Sequence, residues 1–300
     1  MRKALVTGGN GLVGSKLIEL LLERGVEVHN LSRSGKAPKG AKGFKWDYKS
    51  NQFDSGAISG VDVIFHMAGA GVADKRWSAK QKKEILDSRV KTAGLLFNQL
   101  FKKEHSVKHI ISASGVAFYG FHQQNEPYSE EAPKGEGFLA DVSNEWEKSI
   151  KIFSKLDIET TSLRIGMVLS PTGGALEKLV LPTKFGVGSP LGSGQQAMPW
   201  IHLTDLANLF LFVADNKISG IYNAVASQSV TNKEFTKNLA QKLSRPMILP
   251  NVPGFLLKLM LGEMANEIAL MGCSISNEKI KKKGFKFQFD NLKSAFEDLF

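Results

Sequence analysis

The sequence predicts an α/β fold, a doubly wound parallel sheet with a small C-terminal lobe. Strand patterns alternate with segments of helical spacing, and a glycine-rich turn separates the first strand from the first helix. Beyond Arg164 the alternation gives way to a stretch rich in Gly, Pro and Ser, which is typical of loops around a pocket. We expect a sheet domain over residues 1–165, with a return segment over 200–225. The small lobe is then formed by residues 166–199 and 226–300.

Each predicted element follows from its apolar pattern. Strands are expected where short apolar runs stand between turn residues, and helices where apolar residues recur every three or four positions. The predicted strands are 3–7, 26–31, 61–67, 109–113, 160–164 and 220–225, and the predicted helices are 15–24, 80–101, 141–153 and 206–212. Thr231 with Glu234 three residues later predicts a capped helix near 233–243. Further helices are predicted near 253–271 and 276–283.

The turn TGGNGLVG, residues 7–14, joins the first strand to the first helix. Its glycines Gly8, Gly11 and Gly14 permit a tight turn, a close approach of backbone to a diphosphate, and close packing of helix on sheet. A diphosphate placed there lies on the positive N-terminus of the helix. Because the glycines stand between a strand and a helix, the pattern predicts a Rossmann dinucleotide site. A tight turn without a ligand is the alternative.

The end of the second strand indicates which dinucleotide is bound. NAD sites usually carry Asp or Glu there, whereas the 2′-phosphate of NADP is bound by arginine. This chain has Asn30, Leu31, Ser32, Arg33 and Ser34 at that point, with no acid. Arg33 and Ser32 can give the phosphate charge-assisted hydrogen bonds. We therefore expect NADP as the cofactor; the alternative is that Arg33 is a solvated loop residue.

Composition argues against several functional classes. The chain has 300 residues, a formal net charge of +10 and a single cysteine, Cys273, so an internal disulfide and a cysteine-based metal site are excluded. Its basic residues are spread out and do not alternate with aromatic ones, which argues against a nucleic-acid interface. No apolar run reaches the ~18 residues of a membrane span, and the N-terminus lacks a signal-peptide pattern. We expect a cytoplasmic protein without a nucleic-acid, membrane or metal partner.

Several motifs resemble those of the extended short-chain dehydrogenase/reductases. They are TGGNGLVG, HMAGAG, ISASGVAFYG, LRIGMVLSP and PWIHLTDLA, in that order. The segments GVADKRWSAKQKKEILDSRVKT, GGALEKLVLPTKFGVGSPLGSGQQAMPWIH and VTNKEF are similar to an atypical subfamily. Its members are NAD-dependent epimerase/dehydratase-like proteins, usually named epimerase family proteins. The resemblance covers nearly the whole chain and implies a Rossmann domain with a small substrate lobe.

The resemblance also implies which residues contact the cofactor. These lie on the glycine turn, the strand ends and the helix at 80–101: Gly8, Asn10, Gly11, Leu12, Val13, Gly14, Ser32, Arg33, Met67, Ala68, Gly69, Glu84, Arg89 and Ile165. Arg89 stands where the superfamily usually has an asparagine. Glu84 lies about one turn earlier, where it can orient Arg89. The alternative for this pair is a plain salt bridge on the helix.

The acid–base pair of the superfamily is missing from this chain. In the superfamily a tyrosine transfers a proton, a lysine four residues later lowers its pKa, and a serine or threonine orients the substrate. No tyrosine here has a lysine four residues later, and Phe138 and Val142 occupy the matching positions. Ser114 matches the serine, with a small packing residue as the alternative. Tyr119, usually a wall of the substrate pocket, is a candidate to take over proton transfer.

Further polar candidates lie near the same edge of the sheet. Lys75 and Arg76 follow the strand at 61–67 and can bind an anionic substrate or the cofactor, unless they form a charged surface loop. His202 can line the site, but a buried, hydrogen-bonded structural histidine is the favoured interpretation. Three methionines of the C-terminal lobe are expected to fill its core: Met260, Met264 and Met271.

Two functions remain open from the sequence. The first is NADP-dependent redox chemistry on a small carbonyl or sugar-type substrate, either as net reduction or through a transient ketone in epimerisation. The second is a non-catalytic protein that binds NADP as a binding module or sensor. The missing pair favours the second function, whereas the retained polar groups favour the first: Ser114, Tyr119, Lys75 and His202. We expect a small-molecule substrate and either a monomer or a homodimer.

Overall fold

The computed structural model describes residues 1–120 and 126–300. The strands in these parts of the chain are β1 (Lys3–Thr7), β2 (Glu27–Ser32), β3 (Lys42–Asp47), β4 (Gln52–Phe53), β5 (Val63–His66), β6 (His109–Gly115), β7 (Glu159–Ile165), β8 (Met167–Leu169), β9 (Trp200–His202) and β10 (Gly220–Ala224). Strands β8 and β9 form a separate parallel pair, and the others form one sheet.

The order of the large sheet is β10-β7-β6-β5-β1-β2-β3-β4. Its pairs are parallel except for β3 with β4, which is antiparallel. The chain moves outward from β1 to β3 and then returns to place β5 on the other side of β1. The strand order therefore reverses between β1 and β5, and ligands of such sheets bind at the carboxyl ends of the strands at that point. The predicted doubly wound fold is confirmed.

The α-helices of the described residues are α1 (Leu12–Glu23), α2 (Ala79–Lys102), α3 (Phe138–Lys151), α4 (Gly174–Lys184), α5 (Leu203–Asp215), α6 (Asn232–Lys242), α7 (Gly254–Leu261), α8 (Glu278–Lys282) and α9 (Leu292–Leu299). Helix α1 contacts α5, and α2 contacts α3, so the sheet lies between two helical layers. Its central strands accordingly have apolar residues at their middle positions: Leu5, Ile64, Phe65, Ile110 and Ile111 are fully buried.

The C-terminal region has an apolar cluster of its own. It joins the β8–β9 pair to α4, α6 and α9 through buried side chains: Leu169, Leu176, Trp200, Phe235, Leu239, Phe296 and Leu299. The predicted cap of α6 is confirmed. The hydroxyl of Thr231 accepts from the backbone N–H of Glu234 at 3.2 Å, and the carboxylate of Glu234 accepts from the N–H of Thr231 at 2.8 Å. These reciprocal bonds fix the point at which the helix begins.

Several elements differ from the sequence predictions. The stretch after Arg164 was expected to form loops, yet it contains β8 and α4. The single helix predicted over 253–271 is instead α7, a break at Gly262, and a π-helical turn at Asn266–Leu270. Gly262 has a φ of +65°, which a continuous right-handed helix does not permit. Strands β3 and β4 and helix α9 were not predicted.

The expectation for the methionines was wrong for two of the three. Met264 is 5% exposed and packs in the interior, but Met260 and Met271 are 64% and 44% exposed. Met260 lies on α7, whose eight residues include only one buried side chain, Leu257. The sequence therefore did not show which of these methionines face the core.

Across residues 1–120 and 126–300, no helix combines the length and the apolar character that crossing a bilayer requires.

Candidate functional site

The glycine turn after β1 has a conformation that larger residues would prevent. Gly8 has a φ of +76°, and a Cβ on it would lie 2.9 Å from the carbonyl oxygen of Met67. A Cβ on Gly14 would lie 2.4 Å from the carbonyl oxygen of Gly8, because α1 packs directly on the turn. Helix α1 begins after Gly11, with no side-chain cap from the described residues and no acid in its first turn. Its first N–H groups are thus suited to a diphosphate.

Asn30 ties the glycine turn to β2, a role that sequence reasoning missed. Its Oδ1 accepts a hydrogen bond of 3.2 Å from the N–H of Gly9, and its Nδ2 donates to the carbonyl of Lys36 at 2.9 Å. The hydroxyl of Ser32 donates to the same carbonyl at 2.7 Å. Asn30 is fully buried. Its strand also carries Glu27, His29 and Ser32, so a polar residue at position 30 gave no distinct signal in the sequence. Once Asn30 is seen to be buried, hydrogen bonds are expected, since buried polar groups are nearly always hydrogen-bonded.

A cavity of about 640 Å³ opens beside the turn, at the carboxyl ends of β1, β2, β3 and β5. Among the predicted cofactor contacts, those in its wall are Gly8, Asn10, Gly11, Ser32, Arg33, Ala68, Gly69 and Glu84. The remaining wall was not predicted, and consists of Leu31, Ser34, Trp46, Asp47, Tyr48, Ala70, Ser88 and Thr92. Trp46 to Tyr48 were missed because β3 itself was missed. The position is the one that α/β sheets use for nucleotides.

Other predicted contacts are not in the wall of the cavity. Leu12, Val13 and Gly14 form the first turn of α1, and the backbone of Met67 lies against Gly8. Ile165 ends β7, where it pairs with Gly115 of β6.

Arg33 lies in the wall of the cavity with its side chain exposed to solvent. It forms no ion pair within the described residues, although Glu84 is close enough for the positive charge of Arg33 to contribute to lowering the pKa of that carboxyl. The end of β2 also lacks a carboxylate that could bind a ribose 2′-hydroxyl. Arg33 is therefore the exposed cation that this wall offers to an anionic group, and the carboxylates of the same wall lie at the end of β3 and on α2, in Asp47 and Glu84.

Glu84 forms part of the wall opposite the glycine turn. Its Oε2 lies 2.7 Å from Nζ of Lys49, and its Oε1 accepts from the hydroxyl of Tyr48 at 2.9 Å. The bond from Lys49 is the main cause that lowers the pKa of Glu84, and burial together with this carboxylate raises the pKa of Tyr48. Glu84 does not bind Arg89. The predicted orienting contact and its alternative, a salt bridge between the two residues, were both wrong.

Arg89 lies beneath the floor of the cavity. Its Nη1 donates to the carbonyls of Ile85 at 2.8 Å and Ala70 at 3.0 Å, and its guanidinium stacks on the ring of Trp146 at 4.9 Å. A Cβ on Gly69 would lie 2.9 Å from Cζ of Arg89. Burial lowers the pKa of Arg89 to about 10, and no described carboxylate pairs with it. A buried cation without a counter-ion favours an anion nearby.

Ser114 is joined to a buried ion pair at the carboxyl end of β6. Its hydroxyl donates to Oε1 of Glu147 on α3 at 2.7 Å. Arg164 on β7 binds the same carboxylate through both oxygens, with Nε to Oε1 at 2.8 Å and Nη2 to Oε2 at 2.9 Å. The side chains of Arg164 and Glu147 are 2% and 9% exposed. Sequence reasoning predicted Ser114 but missed both partners.

Apolar packing occupies the place of the missing acid–base pair. Phe138 begins α3 and packs edge-on against Trp77, with ring centroids 4.9 Å apart, and Val142 is buried one turn later. The carboxylate of Glu267 accepts from the N–H groups of Phe138 at 2.9 Å and Leu139 at 2.8 Å. The N-terminus of α3 is thus capped by the C-terminal lobe.

Tyr119 is buried, and its hydroxyl is already engaged. It is 1% exposed and donates to Oδ1 of Asn223 at 2.6 Å. Burial raises the pKa of Tyr119 to about 12. A phenol in this state is a poor base near neutral pH. The surroundings of Tyr119 therefore do not favour proton transfer by its hydroxyl.

His202 has the surroundings of a structural residue. Its Nδ1 accepts from the N–H of Thr204 at 3.2 Å and so caps α5, while Nε2 lies 3.3 Å from the carboxylate of Asp298. Burial lowers the pKa of His202. Lys75 is exposed on the loop between β5 and α2, and Arg76 packs against Gly262 of the C-terminal lobe. The contacts of His202 agree with its structural interpretation.

Family models match two segments of the chain. Residues 4–224 match the model described as the NAD dependent epimerase/dehydratase family, and residues 252–299 match a domain of unknown function, DUF1731. The first match contains the sheet, the glycine turn and the Ser114 cluster. The second begins just before α7 and extends to the end of α9.

Similar proteins span almost the whole chain. The epimerase family protein SH2119 of Staphylococcus haemolyticus is 35% identical over 100% of this chain and 99% of its own length. The mouse epimerase family protein SDR39U1 is 31% identical, with 99% of each chain covered. The crystal structure of human SDR39U1 (isoform 2) with NADPH has a TM-score of 0.86 and 30% identity, and covers 99% of this chain and 98% of that one.

A more distant structure, the UDP-glucose 4-epimerase of Thermus thermophilus in complex with NAD, has a TM-score of 0.77 at 19% identity and supports the fold alone. It covers 99% of this chain and 98% of that one. The resemblance inferred from the motifs is confirmed by the family match and by the similar proteins. The chain belongs to the NAD dependent epimerase/dehydratase family of extended short-chain dehydrogenase/reductases and, within it, to the epimerase family proteins that are similar to SDR39U1.

Proposed function

We propose that the protein binds NADP(H) and uses it in an oxidoreductase or epimerase reaction on a small carbonyl or sugar-type substrate. The observation that carries the proposal is the cavity wall at the end of β2, where Arg33 and Ser32 stand without an acid. A guanidinium binds a phosphate through charge-assisted hydrogen bonds, and a carboxylate at this point would repel it. The presence of NADPH in the structure of human SDR39U1 supports the same choice.

The chain offers suitable groups along the whole dinucleotide. The N-terminus of α1 fits the diphosphate, and the exposed guanidinium of Arg33 fits the 2′-phosphate. The guanidinium of Arg89, which pairs with no described carboxylate, lies next to Gly69 in the segment that follows β5. The bound cofactor would supply hydride transfer, and the protein would supply orientation and polar contacts.

Ser114 is the candidate catalytic residue at the substrate end of the site. It lies at the carboxyl end of β6, the strand next to β5, whose following residues Ala68 and Gly69 line the cavity. Tyr119 remains a weaker candidate, because its hydroxyl is bound to Asn223. The proposal includes a cytoplasmic protein that acts as a monomer or homodimer, with residues 166–199 and 226–300 forming the substrate lobe.

Replacement of Arg33 tests the choice of cofactor. In a fluorescence titration, Arg33→Ala is expected to weaken NADPH binding by ~10- to 100-fold, because it removes hydrogen bonds between charged groups, and to leave NADH binding nearly unchanged. Arg245→Ala is a matched control, since Arg245 is an exposed arginine outside the cavity wall. Equal affinity of wild type and Arg33→Ala for NADPH would contradict the assignment.

A non-catalytic NADP sensor is the second candidate, and the packing of Phe138 and Val142 favours it. Assays on both forms of the bound cofactor separate the two functions: oxidation of NADPH by a panel of small carbonyl compounds, and reduction of NADP⁺ by secondary alcohols, which is the first step of an epimerase. An enzyme changes the redox state of the cofactor with at least one compound, and its rate with alcohols falls when Ser114 is replaced by Ala. Tight cofactor binding without a redox change with any compound would favour the sensor.

A further inference from the structure

The Ser114 hydroxyl donates its hydrogen to the carboxylate of Glu147. Serine has one hydrogen to donate and two lone pairs that accept. Oγ of Ser114 lies 2.7 Å from Oε1 of Glu147, and an ionised carboxylate can only accept. No donor among the described residues bonds to this Oγ, so its lone pairs remain for a ligand. Ser143, the nearby serine of α3, donates its own hydrogen to the carbonyl of Leu139 at 2.8 Å.

Arg164 holds the carboxylate of Glu147 in place. Two parallel N–H donors reach the two oxygens, and this fork geometry fixes the orientation of the carboxylate towards Ser114. The guanidinium is held in turn by the ring of Phe118, whose centroid lies 3.4 Å from Cζ. Removing either ion alone would leave a buried charge without a partner. The arrangement of Ser114, Glu147 and Arg164 is therefore rigid.

We propose that Glu147 and Arg164 position the Ser114 hydroxyl as a hydrogen-bond acceptor, so that the substrate site selects a hydroxyl group over a carbonyl. A secondary alcohol can donate to the lone pairs of Oγ, whereas a ketone has only acceptor oxygens and meets another acceptor. The first species bound would be the alcohol, which in an epimerase is the starting compound. This inference rests on the proposed function and names the substrate class of the same site.

Matched probes test the selection without knowledge of the natural substrate. Cyclohexanol, cyclohexanone and methoxycyclohexane have similar size, and of the three only cyclohexanol can donate a hydrogen bond. Their affinities for the full chain saturated with NADP⁺ are measured by ligand-observed NMR. Wild type is expected to bind cyclohexanol ~2- to 10-fold more tightly than either of the others, which is the range of one hydrogen bond. Ser114→Thr keeps the hydroxyl and should keep the preference.

Two variants should remove the preference. Ser114→Ala lacks the acceptor, and the double variant Glu147→Leu, Arg164→Met frees the serine hydrogen to rotate towards a ketone without leaving a lone buried charge. Ser149→Ala is the matched control, because this buried serine on α3 donates to the carbonyl of Trp146. Thermal unfolding shows whether each variant is folded.

Tighter binding of cyclohexanone by wild type would overturn the proposal. A preference that survives in the folded double variant, or the absence of saturable binding by any probe, would do the same. Failure of the proposed function looks different, since the wild type would then bind no NADP(H) at all. If NADPH binds and the alcohol is not preferred, only the role of Glu147 and Arg164 is lost.

Discussion

His66, the last residue of β5, lies fully buried beneath the nucleotide cavity. Its Nδ1 lies 3.0 Å from Oγ1 of Thr7, and that oxygen also accepts from the N–H groups of Met67 at 3.1 Å and Ala68 at 3.2 Å. The hydroxyl hydrogen of Thr7 is therefore directed to Nδ1, which must be the acceptor nitrogen of a neutral imidazole. Burial lowers the pKa of His66 to about 4. Protonation would break the contact that supports the strand end.

The depressed pKa of His66 predicts a loss of stability in mild acid. Between its unfolded value near 6.5 and its folded value near 4, the unfolded chain binds the extra proton, so stability falls as the pH falls. The contribution is about 1.4 kcal/mol for each pH unit in this window. The free energy of unfolding, measured with denaturant at pH 7.5, 6 and 5, should fall more steeply with decreasing pH for wild type than for His66→Gln. Identical declines would refute this account of His66.

Single residues show how far the sequence predicts the candidate site. Gly8, Gly11 and Arg33 were predicted from local patterns of the turn and of the end of β2, and they line the cavity. Glu147 and Arg164 were missed because both are distant from Ser114 in the sequence. They meet it only through the register of β7 with β6 and the packing of α3, which no local sequence pattern predicts. Ser114 pairs with Arg164 in that register.

At the scale of elements, strongly apolar strands and long amphipathic helices were predictable. Strand β3 was not, because KGFKWD buries only Phe44 and Trp46 and carries Gly43, Lys45 and Asp47 on its other face, near the edge of the sheet. Helix α4 was not predicted because glycines precede it and Pro182 lies inside it. Both patterns are weak locally and become regular only through contact with β2 or with the C-terminal cluster.

The cap of α3 by Glu267 links the two parts of the fold and can be tested by unfolding. Glu267→Ala removes the acceptor of two N–H groups and is expected to lower the free energy of unfolding by ~1 kcal/mol, as the loss of an N-cap does. Glu263→Ala is the matched control, since Glu263 forms an exposed ion pair with Lys82 worth less than ~1 kcal/mol. If both substitutions lower the free energy of unfolding equally, the contact of Glu267 with α3 stabilises the fold no more than an exposed ion pair does.

The whole molecule places two different polar environments at one edge of its sheet. At the carboxyl ends of β1, β2 and β3 the wall carries Arg33 and an open helix N-terminus, as a dinucleotide phosphate requires. Two strands away from β1, β6 presents Ser114 with its hydrogen turned away towards Glu147. The parallel strands place both at the carboxyl edge of one sheet, with β5 and the strand-order reversal between them.

The central claim is that this edge binds NADP in preference to NAD, and the most direct measurement is the pair of dissociation constants of the wild-type chain for NADPH and NADH. NADPH is expected to bind at least ~10-fold more tightly, because only NADPH carries a phosphate for the guanidinium of Arg33. Equal affinities, or tighter binding of NADH, would contradict it.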